Sequence, residues 1–146
     1  MKNLILLFGF VFIMGCGGDD EVVGLSIEDQ ISNYITENNL TTQETSSGLH
    51  VIIEEPGGAV KPNVFNTITI NYEGRYLDGE IFDSNDGFVS QLNSLISGWK
   101  EGIPFFGAGG RGTLIIPPTL GYGSNPAGNI RPNAVLVFDI ELIDFN

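Results

Sequence analysis

The chain has 146 residues, enough for one folded domain with short appendages. It carries 18 acidic residues against 6 Lys and Arg, a formal net charge of −12 that favours solubility. Because phosphate binding needs clustered basic side chains, this composition argues against a nucleic-acid partner. With one His and one Cys, the chain lacks the residues for an internal disulfide or for a metal site of imidazole and thiolate ligands. We therefore predict no metal and no cofactor.

The first segment of the chain has the pattern of a bacterial signal peptide. Residues 4–14 form an unbroken apolar run preceded by Lys2, and the run is shorter than the roughly 20 residues of a transmembrane helix. It ends in Ile13-Met14-Gly15-Cys16, which resembles the lipobox of bacterial lipoproteins. We predict a lipoprotein signal peptide at residues 1–15 and a lipid on Cys16. The alternative is an ordinary secretory peptide in which the Cys is incidental.

Residues 16–24 are predicted to be a flexible acidic tether. The stretch is rich in Gly and has too few apolar side chains to fold alone. Its acids at Asp19, Asp20 and Glu21 are similar to signals that sort some lipoproteins to the outer membrane or cell surface, although a solvated spacer would look the same. We expect a membrane-anchored protein that faces the periplasm or lies at the outer membrane or cell surface.

Residues 25–47 are predicted to form an N-terminal helix and a linker. Ser26 is a candidate N-cap, and the acids that follow it suit the positive end of a helix dipole. Apolar side chains then recur at spacings of three and four residues, at Ile27, Ile31, Tyr34 and Ile35. This stripe predicts a face that packs on the following domain, in a helix that ends at Asn38-Asn39.

The remainder, residues 48–146, is predicted to be a mostly β domain. In chain order we expect strands at 49–55 and 64–77, a turn at Asp78-Gly79, a return strand at 80–84, a short helix within 97–106, a strand at 111–116, a long loop at 119–133 and a last strand at 134–145. The last strand is apolar enough to be central in a sheet. His50 lies in the first strand, where we expect a structural role.

Four segments of this domain carry motifs that occur together in one known family. They are residues 72–84 (YEGRYLDGEIFDS), 96–102 (ISGWKEG), 115–123 (IIPPTLGYG) and 136–142 (LVFDIEL). In sequence and in order they resemble the segments of FKBP-type peptidyl-prolyl cis–trans isomerases. The resemblance implies an α+β fold in which a strongly bent antiparallel β-sheet wraps around one short α-helix. It also implies an apolar cavity between them and an enzyme that accelerates rotation about X-Pro bonds.

The resemblance further implies which side chains line that cavity. Carried over by position, they are Tyr72, Phe82, Asp83, Phe88, Leu95, Ile96, Trp99, Tyr122, Ile130 and Phe138. Trp99 is expected at the floor, with Phe82 and Phe138 in the walls. The expected catalytic residues are Phe82, Asp83, Trp99 and Tyr122. The Tyr122 hydroxyl is expected to donate to a substrate carbonyl, whereas Asp83 either polarises the substrate or braces the pocket wall.

The partners implied by the resemblance are proline-containing unfolded or nascent polypeptides and inhibitors of the tacrolimus and rapamycin type. Two other functions stay open on the sequence. The first is a holdase that grips unfolded chains in the same cavity without catalysis, which an assay of X-Pro isomerisation would distinguish. The second is a lipoprotein that binds a small ligand in an unrelated β-sandwich, which the sequence around Trp99 and Tyr122 disfavours.

Overall fold

The structure, a computed structural model, describes residues 24–146. The predicted signal peptide at 1–15, the lipid site at Cys16 and the tether up to residue 23 lie outside the described residues. From residue 24 onward, no helix is long and apolar enough to cross a membrane.

Six strands and two α-helices make up the described part of the chain. They are α1 (Ile27–Glu37), β1 (Gln43–Glu44), β2 (His50–Glu55), β3 (Thr67–Tyr76), β4 (Ile81–Gln91), α2 (Ser97–Gly102), β5 (Gly110–Ile116) and β6 (Leu136–Phe145). The strands form one antiparallel sheet in the order β1-β2-β5-β6-β3-β4. This confirms the predicted fold class, and β6 lies centrally, between β5 and β3, as its apolar sequence predicts.

The two faces of the sheet pack against different helices. Successive side chains of a strand point to opposite faces. On β5, Leu114 accordingly belongs to the main core around Trp99 of α2, whereas Ile115 belongs to a second cluster with Ile31 of α1. The face that packs on α2 is called the inner face below, and the face that packs on α1 the outer face.

Helix α1 docks on the outer face through the predicted apolar stripe. Ser26 is its N-cap and accepts a hydrogen bond from the Asp29 N–H at 3.1 Å. Ile31 is 4% exposed and packs against Ile115 and the β6 region. Burial of one Ile side chain of this kind stabilises the folded chain by roughly 1.5–3 kcal/mol.

Helix α2 lies very close to the inner face because two of its residues have no side chain. A Cβ on Gly98 would lie 2.6 Å from Ile116 Cγ2, and a Cβ on Gly102 would lie 2.7 Å from Leu114 Cδ1. Atoms essentially never approach that closely, so larger residues would push the helix away from the sheet. The close approach brings Trp99, between the two glycines in sequence, into the core.

Strand β4 is longer than predicted. We expected the return strand to end at Ser84, but pairing with β3 continues to Gln91. The register shifts between Ile70 and Tyr72 of β3, so that an extra residue of β4 is accommodated in a bulge. Gly87 has φ +72° there, and its N–H donates to Asn71 Oδ1 at 2.7 Å. The Asp-Gly pair in the middle of this strand therefore forms a bulge, not the end of the strand.

Candidate active site

A cavity of about 240 Å³ lies beside α2 on the inner face of the sheet. The side chains that line it are Tyr72, Asp83, Phe88, Leu95, Ile96, Trp99, Tyr122 and Phe138. They come from β3, β4, the segment before α2, α2 itself, the loop after β5, and β6. Residues far apart in sequence therefore converge on one small and mainly apolar space.

Trp99 lies at the centre of this aromatic cluster. It is 4% exposed, and the rings of Tyr72 and Phe138 meet it nearly edge-on, with centroids 5.1 and 5.2 Å away. Phe88 completes the arrangement at 6.5 Å. Edge-to-face contacts of this kind hold aromatic rings in defined orientations. The tryptophan is therefore a rigid part of the cavity.

The indole N–H of Trp99 has no hydrogen-bond partner among the described residues. Buried polar groups are nearly always paired, and an unpaired one costs folding free energy. The nitrogen is itself buried, so the unpaired donor belongs to the packed wall of the cavity and not to its accessible surface.

The wall of the cavity depends on the absence of a side chain at Gly74. Pairing of β3 with its two neighbours places Gly74 opposite both Asp83 and Phe138. A Cβ on Gly74 would lie 2.7 Å from Phe138 Cε1 and 2.7 Å from Phe82 Cζ. Because that space is free, the two rings meet edge-on, with centroids 5.5 Å apart.

Two tyrosines and one carboxylate form the polar rim. The Tyr72 hydroxyl donates to Asp83 Oδ2 at 2.7 Å, and Tyr122 is 42% exposed. Burial, with the hydrogen bond to Asp83, raises the pKa of Tyr72 well above its ordinary value. Burial and the nearby charge of Asp83 also raise the pKa of Tyr122. Both phenols are therefore neutral hydrogen-bond donors at physiological pH.

Eight of the ten side chains expected at the cavity line it, and Phe82 and Ile130 do not. Phe82 lies behind the wall, between Phe138 at 5.5 Å and Tyr76 at 4.9 Å, centroid to centroid. Ile130 is half-buried in the loop that carries Tyr122. The structure therefore gives Phe82 a supporting position, although its motif predicted direct lining.

Sequence reasoning missed three residues that shape this region. Gly74, Tyr76 and Arg131 were not singled out, yet Gly74 accommodates the pocket rings and Arg131 stacks on Tyr76 at 4.1 Å. Gly74 lies inside a strand pattern, and such a glycine signals a close approach of neighbouring groups. His50 lies outside the cavity and pairs with Thr42 at 2.9 Å. No group of three or more metal-binding side chains occurs within residues 24–146.

A larger cavity, of about 580 Å³, lies between α1 and the β domain. Its lining includes Ile31, Ile35, His50 and Pro117 and contains no aromatic ring other than the His50 imidazole. No described side chain near it combines burial with an unsatisfied donor, as Trp99 does. Size alone does not make it the active site, and the smaller cavity has the more specific chemistry.

Comparison with known proteins agrees with this geometry. The sequence model of the family described as "FKBP-type peptidyl-prolyl cis-trans isomerase" matches residues 58–143. The chain is 42% identical over 106 residues to the FKBP-type isomerase FkpA of Buchnera aphidicola from Schizaphis graminum, which is 69% of this chain and 42% of that protein. It is 38% identical over 104 residues to FkpA of Escherichia coli K12, which is 68% of this chain and 38% of that protein. The chain thus spans about two fifths of the length of these relatives.

Two solved structures share the fold. The crystal structure of FkpA from Escherichia coli superposes with a TM-score of 0.75 at 31% identity, covering 82% of this chain and 58% of that one. A peptidyl-prolyl cis-trans isomerase from Pseudomonas syringae pv. tomato superposes with a TM-score of 0.70 at 29% identity, covering 84% and 98%. The family model matches more than half of the chain and covers the segments that line the cavity. This chain belongs to the FKBP-type peptidyl-prolyl cis-trans isomerase family.

Proposed function

We propose that this chain catalyses cis–trans isomerisation of X-Pro peptide bonds in the cavity above Trp99. The observation that carries the proposal is a buried indole, walled by aromatic rings, in a small apolar space. A proline ring is compact and apolar, and its nitrogen has no hydrogen to satisfy. Such a ring suits this space better than a charged or strongly polar group does.

The reaction is a rotation about the peptide C–N bond, and it makes and breaks no covalent bond. Amide resonance gives rotation about the C–N bond a barrier of about 18–20 kcal/mol. In the twisted transition state the carbonyl and the nitrogen are no longer conjugated, and the group is less polar than the planar amide. A dry aromatic cavity withholds the water that stabilises the planar form and holds the proline ring by shape. The twisted state is therefore bound more tightly than the planar one.

In this proposal the polar groups at the rim of the cavity orient the substrate. The neutral Tyr122 hydroxyl donates a hydrogen bond to a substrate carbonyl, for which its partial exposure leaves room. The Asp83 carboxylate accepts from Tyr72 through Oδ2 and has Oδ1 free of side-chain partners among the described residues. Asp83 therefore braces the wall while its charge faces the region of Tyr122. Trp99 and Phe138 contact the proline ring, and Phe82 supports Phe138 from behind.

The substrates that we propose are proline-containing unfolded or nascent polypeptides outside the cytoplasm. We further propose that residues 1–15 are a lipoprotein signal peptide, 16–24 a tether, 25–47 a helix and linker, and 48–146 the isomerase domain. Cys16 would carry the lipid and anchor the protein on a membrane facing the periplasm or cell surface. The support is the apolar run that ends in a lipobox-like sequence at the only Cys of the chain.

A protease-coupled assay with Leu-Pro peptides tests the enzymatic proposal, with and without tacrolimus. We expect acceleration by the wild type and inhibition by the drug. Phe88→Leu, in the cavity, should lower kcat/KM, whereas Phe65→Leu, at a ring that is 79% exposed and outside the cavity, should not. A wild-type protein that binds unfolded chains but does not accelerate isomerisation would be a holdase, contrary to the proposal.

Expression of Cys16→Ser in a bacterial host tests the anchor. We expect the wild type to partition into detergent and to incorporate labelled fatty acid, and the variant to incorporate none and to be either uncleaved or soluble. Equal incorporation of labelled fatty acid by the two proteins would contradict lipidation at this residue.

A further inference from the structure

The loop between β5 and β6, which carries Tyr122, has a closed neck and a long tip. At the neck, the Gly123 N–H donates to the Pro118 carbonyl at 3.0 Å, and the Asn133 N–H donates to the Gly123 carbonyl at 2.9 Å. Beyond it, the hydrogen bonds that join residues 124–132 to the rest of the described domain are made by Arg131. The polar attachment of the tip to the domain therefore depends on a single residue.

Arg131 makes four contacts with the β3–β4 hairpin. Its backbone N–H donates to Tyr76 Oη at 3.0 Å, and its guanidinium carbon lies 4.1 Å from the centre of the Tyr76 ring. The two guanidinium ends donate to Asp78 Oδ2, at 2.5 Å, and to Glu80 Oε2. We call this set of four residues (Arg131, Tyr76, Asp78 and Glu80) the latch.

The latch is connected to the cavity wall through packed aromatic rings. Tyr76 is 4% exposed, and its ring packs on Phe82 with centroids 4.9 Å apart. Phe82 in turn meets Phe138, which lines the cavity. Arg131 also follows Ile130, which was expected at the cavity, and so fixes the end of the loop opposite to Tyr122. Arg131 thus joins the loop to the domain and also contacts Tyr76, which supports the wall.

We propose that Arg131 is a positioning residue: by latching residues 124–132 onto Tyr76, Asp78 and Glu80, it holds the loop that carries Tyr122 at the cavity for substrate binding. The inference rests on the proposed function. An exposed ion pair alone contributes little to stability. Here the guanidinium fork meets two carboxylates while its face stacks on an aromatic ring, an arrangement that Lys does not reproduce.

The test compares Arg131→Gln and Arg131→Lys with wild type in the full chain. The latch predicts a rise in KM of about threefold to tenfold for an uncharged Leu-Pro peptide in Arg131→Gln, with kcat little changed, because fewer molecules have the loop in the binding position. Arg131→Lys should be intermediate, since it keeps the charge but loses the fork. Amide exchange at Gly123 and at position 131, followed by NMR, should accelerate in Arg131→Gln.

Arg111→Gln is the matched control. Arg111 is an exposed Arg on β5 that pairs with Glu54 at 3.5 Å and Glu55 at 3.9 Å, and it does not line the candidate cavity. The control loses the same charge and should leave KM and loop exchange unchanged. Salt gives a second readout, because screening weakens exposed ion pairs. The wild-type KM should rise with salt toward the Arg131→Gln value, while the KM of Arg131→Gln stays constant.

The outcomes separate this inference from the proposed function. Unchanged exchange at Gly123 and position 131 in Arg131→Gln would overturn the latch, whether or not the protein is active. Faster exchange with an unchanged KM in an active protein would overturn the positioning role. A wild type without isomerase activity would overturn the proposed function, and the exchange rates would still decide whether Arg131 holds the loop. A lower melting temperature with unaltered KM and salt response would mark Arg131 as merely structural.

Discussion

Gly74→Ala is the substitution that tests most directly how the fold builds the cavity. The added methyl carbon would lie 2.7 Å from ring carbons of Phe82 and Phe138. Carbon atoms in contact normally lie about 3.5–4.0 Å apart, so each ring would have to move by roughly 1 Å. Phe138 is 3% exposed and packs on Trp99, and it has little room to retreat. The methyl group should therefore displace the wall.

The expected cost follows from two opposing effects. Overpacking a dense core costs about 1–3 kcal/mol. Replacing a strand glycine by alanine reduces the entropy of the unfolded chain and stabilises the folded state by about 0.4–1 kcal/mol. We expect a net loss of roughly 0–2.6 kcal/mol in the free energy of unfolding. Tacrolimus affinity and kcat/KM should fall as well, because the displaced rings line or support the cavity.

Urea unfolding, isomerase assays and tacrolimus titration followed by Trp99 fluorescence measure these effects, since Trp99 is the only tryptophan. Gly58→Ala is the control, because its nearest contacts would be 3.7 Å away, at an ordinary distance. Adding Phe82→Leu to Gly74→Ala removes one of the crowded ring carbons and should restore part of the stability. If Gly74→Ala kept wild-type stability and affinity, the close packing of the two rings would not shape the cavity.

Three further predictions concern other parts of the molecule. Tyr122→Phe removes one hydroxyl from a side chain that is 42% exposed, so the free energy of unfolding should change by less than about 0.5 kcal/mol. The values of kcat/KM and tacrolimus affinity should fall about threefold to tenfold, and full activity would remove this hydroxyl from the mechanism. Ile31→Ala should destabilise the protein by about 2–5 kcal/mol in thermal and urea unfolding but spare most activity. Ser32→Ala is the control and should have no effect. An unchanged melting temperature in Ile31→Ala would show that α1 does not contribute to stability. Burial and Asp83 raise the pKa of Tyr72 in the folded chain. The contribution of this tyrosine to stability is therefore complete below its pKa in the unfolded chain, about 10, and is lost as the pH rises above that value. The melting temperature should therefore fall more steeply above that pH in the wild type than in Tyr72→Phe, and identical profiles would contradict the raised pKa.

Predictions from local patterns were the most successful at the level of the fold. The Ser26 cap and the Ile31 stripe depend on residues within one or two turns of a helix, and both occur where predicted. The extension of β4 beyond Ser84 was missed because Asp86-Gly87 has the composition of a turn. In the bulge, Asn71 on another strand accepts a hydrogen bond from Gly87. Local composition does not contain that contact.

At the candidate site, too, sequence motifs predicted part of the arrangement and contacts between distant residues were missed. Side chains within the family motifs, such as Trp99 and Tyr122, meet at one cavity because the motifs share a fold with their relatives. Arg131 lies in a loop rich in Gly and Pro, 53 residues from Asp78, and no periodic pattern links them. Its contacts follow from tertiary structure, and the sequence offered only an isolated basic residue in a strongly acidic chain.

The same aromatic cluster that forms the cavity also forms part of the core, and this determines how stability and activity are coupled. Trp99 and Phe138 are almost fully buried and contact each other, so their replacement should damage folding and binding together. Tyr122 and Arg131 are much more exposed and lie in or beside one loop, so their effects should fall mainly on substrate binding. The isomerase activity proposed for this chain needs the shape and dryness of the cavity more than reactive groups. The rigid walls of the cavity can therefore belong to the core, whereas the more adjustable contacts with the substrate can come from a loop that Arg131 holds in place.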